Sequence, residues 1–135
     1  MEEVRQKKLE KHINVVVIEG RVCGPAEVQV LQSGERISVR IASHSDYRDK
    51  KEDRVVDVTN FVNIIARKSP IGDILRNART GDVITVQGAL VQESWVDRAT
   101  NTNRERYYVD PIMLRYPPRP QSVEQQREAD GNVAG

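Results

Sequence analysis

The chain has 135 residues, of which 38% are hydrophobic and 30% charged, proportions that fit one soluble domain with short tails. No apolar run nears the roughly 20 residues of a bilayer span, and the opening stretch Met1 to Lys8 is too charged to read as a secretory signal. Its 21 basic and 20 acidic residues leave a net charge of +1, so composition gives no hint of an anionic partner.

The single cysteine, Cys23, has no partner for an internal disulfide and implies a reducing, cytoplasmic setting. Residues 1–12 read as a charged N-terminal arm. From Ile13 to Val22 the chain is β-branched and apolar on both faces, as in a strand of a barrel wall, with Gly20 marking a bulge or bend. Gly24-Pro25 interrupts, and Ala26 to Leu31 resumes an extended pattern. Gln32-Ser33-Gly34 is a turn. Ile37, Val39 and Ile41 then alternate with Arg36, Ser38 and Arg40, giving a strand with one apolar and one basic face.

His44 to Arg54 reads as a polar loop around Tyr47. Val55 to Ala66 is the third strand, with Val56, Val58, Val62, Ile64 and Ala66 on its core side. One helix is expected over Pro70 to Arg79, with Ser69 as N-cap, Thr80-Gly81 as stop, and Ile71, Ile74, Leu75 and Ala78 on its buried face. A fourth strand runs from Asp82 to about Trp95 with a bend at Gly88. Thr100 to Asn103 is a loop, and Glu105 to Leu114 the fifth strand. The expected fold is therefore all-β: a five-stranded OB-fold barrel over residues 13–116 with one helix between strands three and four. Residues 117–135, rich in Pro, Gln and charge, read as a disordered tail.

Nothing in the chain asks for a catalytic site. His12 and His44 lie far apart, and there is no cysteine cluster, paired-His spacing or Gly-rich phosphate loop, so no metal or cofactor is expected. Aromatic residues are only 4% of the chain, which makes their positions informative. Phe61 shares strand parity with Thr59, Asn63 and Arg67, a polar face, where an exposed ring suits base stacking. Periodicity alone leaves that role level with cover for a subunit interface. Trp95 shares parity with Glu93 and Gln87, and Tyr47 precedes Arg48. Together the three rings beside arginines favour stacking. Arg36, Arg40, Arg48, Lys50, Arg67, Lys68, Arg98, Arg104 and Arg106 are the candidates for phosphate or base contacts, against the alternative of an ordinary solvated surface.

Several segments, in order, resemble the bacterial single-stranded DNA-binding protein family. Asn14 to Gly20 resembles its first strand, and Pro25-Ala26-Glu27-Val28 with Ser33-Gly34 its Pro-Glu-Val segment and glycine turn. Ile41 to Lys50 is similar to a stretch ending Trp-Arg-Asp-Lys. Thr59 to Ile65 resembles Thr-Glu-Trp-His-Arg-Val-Val, and Thr80 to Gly88 resembles Lys-Gly-Ser-x-Val-x-Ile-Glu-Gly. The resemblance spans residues 13–116 and implies stacking at the positions of Tyr47, Phe61 and Trp95. It departs at Arg67, where the family has a further stacking ring, and at Val62, where the family has a His associated with tetramer contacts.

The acidic tip ending in Phe that recruits replication and repair proteins has no counterpart in Gly131 to Gly135, so the resemblance points to a divergent or accessory member. It implies sequence-independent binding of single-stranded DNA, or RNA, during replication, recombination or repair. It also implies a homo-oligomer, dimer or tetramer, in the bacterial cytoplasm and nucleoid. Two rival readings are a primosomal-type dimeric OB adaptor and an OB interaction module that no longer binds DNA.

Overall fold

The computed structural model describes residues 9–116. Six strands and one helix follow in the order β1 (Val16–Val22), β2 (Glu27–Leu31), β3 (Gly34–Asp49), β4 (Arg54–Arg67), α1 (Pro70–Arg76), β5 (Val83–Asp97) and β6 (Thr102–Arg115). Hydrogen-bonded neighbours run β1-β5-β6-β4-β3, and β1 pairs with β3 again at Arg21↔Ala42 and Val22↔Ile41. Five strands therefore close a barrel. The sixth, β2, is the Ala26 to Leu31 segment; it pairs only with β3 and hangs outside the ring. All pairings are antiparallel except β4–β6, which meet in parallel at Ile64↔Val109. With α1 inserted between β4 and β5, this is the OB-fold.

The core forms where the inward faces of β3, β4 and β5 meet. Ile37, Ile41, Ile64, Ile84 and Val86 are all fully buried, with Leu75 of α1 plugging one end. Ser69 caps α1 by accepting from the Gly72 N–H at 3.0 Å, and Pro70 opens the helix. The helix is shorter than its sequence pattern, ending at an Asn77 cap before Thr80-Gly81. It seats Leu75, with Ala78 buried just past its cap, but leaves Ile74 45% exposed, because a helix of two turns has only a narrow buried face.

Gly20 is no bulge: β1 runs in unbroken register with β5 from Val16 to Arg21. It lies where β1 crosses to β3, and a Cβ there would stand 2.7 Å from the Ala42 carbonyl oxygen. Gly88 does mark an irregularity. The β5–β6 register slips between Gln87 and Gly88, leaving Ile112 as the extra residue, and a Cβ on Gly88 would meet the Asp110 carbonyl oxygen at 2.0 Å.

The largest departure from the sequence pattern is His44 to Arg54. It is no loop. β3 continues to Asp49, β4 begins at Arg54, and the two pair without a break from Arg36↔Arg67 to Asp49↔Arg54. The turn between them is closed by Asp53 in the left-handed region (φ 48°). Polar residues on both sides of this hairpin look like loop composition, but a ribbon projecting from a barrel has no core face to mark it. Val56 and Val58, assigned to the core side, are accordingly only half-buried.

Candidate nucleic-acid interface

Residues directly opposite in an antiparallel ladder share a face. The pairs Arg36↔Arg67, Arg40↔Asn63 and Ala42↔Phe61 therefore place Arg36, Arg40, Phe61 and Arg67 on one outward face of β3–β4. The β5–β6 hairpin meets that face at one end. Alternation along it puts Glu93 and Trp95 on β5 beside Arg106 and Tyr108 on β6, with Glu93 opposite Arg106.

Three guanidinium groups lie against three rings: Arg40 over Phe61 at 4.5 Å, Arg36 over Tyr108 at 5.2 Å, and Arg106 over Trp95 at 5.5 Å from the ring centroids. Phe61 remains 56% exposed and Trp95 42% exposed, so neither ring is packing material. Arg36 and Glu93 form a two-bonded ion pair, one arm of which is 3.2 Å. Arg106 also reaches Glu93, at 3.5 Å. Hydrogen bonding from Arg36 holds the Glu93 carboxyl below its ordinary pKa, against the opposing effect of burial, and the same bond raises Arg36. The Nε of Arg106 is buried and finds no acceptor among the described residues.

The other sequence candidates are spread wider. Tyr47 is not in a loop but on β3, opposite Val56, and alternation points it to the face of the ladder away from Phe61. Arg48 shares the Phe61 face but pairs with Asp53. Between Arg48 and Phe61 the same face carries Asp46 directly opposite Asp57, two carboxylates that break the basic track. Lys50 sits at that hairpin tip and Arg98 at the turn of the β5–β6 hairpin, both exposed; Arg104 there is tied to Asp97 at 2.9 Å. Arg67 ends β4 and Lys68 follows it, both exposed.

Sequence reasoning missed two members of this cluster. Tyr108 could have been found from the alternation Arg104, Arg106, Tyr108 on β6. Glu93 could not have been paired with Arg36, since 57 residues separate them. Among the described residues no group of three or more His, Cys, Asp or Glu side chains could hold a metal, and no helix is long and apolar enough to cross a membrane.

Residues 13–111 match the family model of the Single-strand binding protein family. The chain belongs to this family. A single-stranded DNA-binding protein of Borreliella burgdorferi is 28% identical over 107 residues, covering 76% of this chain and 69% of the relative. Among solved structures, the Plasmodium falciparum SSB in complex with ssDNA superposes with a TM-score of 0.71 at 20% identity, covering 82% of this chain and 99% of that one. The small single-stranded DNA-binding protein from Streptomyces coelicolor gives 0.57 at 21% identity, covering 76% and 93%. At such identities the structural likeness establishes the fold.

Proposed function

We propose that the protein binds single-stranded DNA without dependence on sequence along most of the strand, protecting it during replication, recombination or repair. The observation that carries this reading is the pairing of exposed Phe61 and Trp95 with the guanidinium groups of Arg40 and Arg106 on one side of the barrel. Bases replace the guanidinium groups on the rings, and the freed arginines turn to phosphates. Arg67 and Lys68 extend the basic rim. Arg48 and Lys50 bind beyond the Asp46–Asp57 step only if the strand climbs the hairpin; Tyr47, on the far side, serves a strand that wraps over it. At the other hairpin, Arg98 and Arg104 meet phosphates beyond Trp95.

The test is a titration with oligo(dT), read by Trp95 fluorescence. A stacked base quenches the single indole, and Phe61→Ala weakens binding by about 1–3 kcal/mol without lowering thermal stability. No quenching and no mobility shift at low salt would make the barrel an interaction module instead.

We infer self-association as well. β1 pairs with β3 only at Arg21 and Val22, so its first half presents a strand edge with no partner among the described residues. Val17, opposite Gln87, which is itself opposite Met113, begins an outward row across β1, β5 and β6; Val17 is 65% and Met113 60% exposed. An open edge beside the exposed side chains of Val17 and Met113 is what a second copy covers.

A further inference from the structure

Beside the stacking rings lies a recess that the sequence-independent reading does not use. It is a cavity of about 210 Å³ lined by Leu31, Arg36, Ile65, Arg67, Tyr108 and Asp110, among others. Drug-sized ligands occupy sites of roughly 300–1,000 Å³, so this one suits a single ring system. Ile65, on the outward face of β4, lines it and is only 5% exposed, which shows that this part of the platform is recessed. Leu31 and Arg36 also line the groove that holds Trp95 and Arg106, so the cavity adjoins that stacking position.

Two of the lining side chains are charged and have no hydrogen bond or ion pair among the described residues. One is the Arg67 guanidinium and the other the Asp110 carboxylate. Arg36 is held by Glu93 and Glu35 by Arg76, so they are already engaged. A cation and an anion that are both unpaired among the described residues, on one recess, ask for a flat ligand with two adjacent acceptors on one edge and two adjacent donors on another. Among the bases guanine alone meets both demands. Its O6 and N7 accept from a guanidinium fork, and its N1–H and N2–H donate to a carboxylate. Adenine and thymine interleave donors and acceptors, and cytosine, which has adjacent N3 and O2 acceptors, offers only its N4 amino group as donor, so none of the three satisfies both charges.

We propose that this cavity is a base-reading subsite for guanine, Arg67 donating to O6 and N7 and Asp110 accepting from N1–H and N2–H. It deepens the single-strand-binding reading and rests on it: most of the strand is held by stacking, and one position is read.

The experiment compares short labelled oligo(dT) strands carrying a single dG, dA, dC or deoxyinosine, titrated at one salt concentration. The dG strand is expected to bind about tenfold more tightly than the dA strand, within the discrimination of one good bidentate contact. Deoxyinosine, which lacks the 2-amino donor, should fall between. In Asp110→Asn and in Arg67→Ala the ratio of dG to all-dT affinity should drop towards one, whatever their absolute affinities. Equal binding of all four strands, or a dG preference untouched by both substitutions, overturns the subsite and leaves single-strand binding standing. Failure of every strand, all-dT included, overturns both.

Discussion

Arg36 shows how a single side chain ties the interface together. Its guanidinium lies against Tyr108 and holds Glu93, which in turn receives Arg106, whose own guanidinium covers Trp95. Glu93 is thus the only anion between two cations in this chain of contacts, and its lowered pKa reflects chiefly the Arg36 hydrogen bonds. The group stabilises the fold when ionised. That contribution is complete above the unfolded-state value, about 4.3 for glutamate, and is lost as pH falls through the lower folded-state value. In thermal melts, Glu93→Gln should therefore lose stability at neutral pH, and the gap to wild type should close below about pH 4. A constant gap across that range would mean that the ion pair does not contribute through charge. The surface pairs Arg48–Asp53 and Arg104–Asp97, more exposed on one or both sides, contribute little by comparison.

At the scale of elements, closure of the barrel depends on how near β1 can come to β3. Gly20 has no room for a methyl group, since the obstacles at 2.7 and 2.9 Å are backbone atoms of Ala42 that cannot rotate aside. Gly24, four residues past Gly20, has open space around its Cβ position. Gly20→Ala should destabilise the protein by about 1–3 kcal/mol, the usual cost of overpacking, while Gly24→Ala stays near neutral. Urea unfolding midpoints of the pair check this, and equal midpoints would remove the close approach as a constraint. The β3–β4 hairpin obeys different physics. It stands outside the core, so alternation and the turn at Asp53 hold its register, and the like-charged Asp46↔Asp57 step is tolerated because both side chains reach solvent.

For the molecule as a whole, the two functional surfaces share β5 and β6 but use different stretches of them. The ring-and-arginine platform takes β3, β4 and the β5–β6 hairpin around Glu93 and Arg106, whereas the row that starts at Val17 on β1 crosses β5 at Gln87 and β6 at Met113. If that row joins two copies, Val17→Asp should reduce the mass seen by light scattering to that of one chain, because a buried unpaired carboxylate is strongly disfavoured. The variant should retain its Trp95 response to oligo(dT) at the level of each protomer. A wild-type protein already of one-chain mass would refute self-association through β1.

Much of this was legible in the sequence. The alternation of Ile37, Val39 and Ile41 with Arg36, Ser38 and Arg40, the parity of Phe61, the Ser69-Pro70 helix start and the strand order all follow from local periodicity, which needs no partner to be read. The hairpin of residues 44–57 was not, because its polar faces carry no core signal. Nor was the side of the ladder to which Tyr47 turns, since that depends on how far β3 continues without a break. Only the tertiary structure brought Arg36 to Glu93, set Tyr108 beside them, and placed Arg67 and Asp110, unpaired among the described residues, around one recess. Those are contacts between distant strands, decided by barrel closure and register and not by any property of the neighbouring residues.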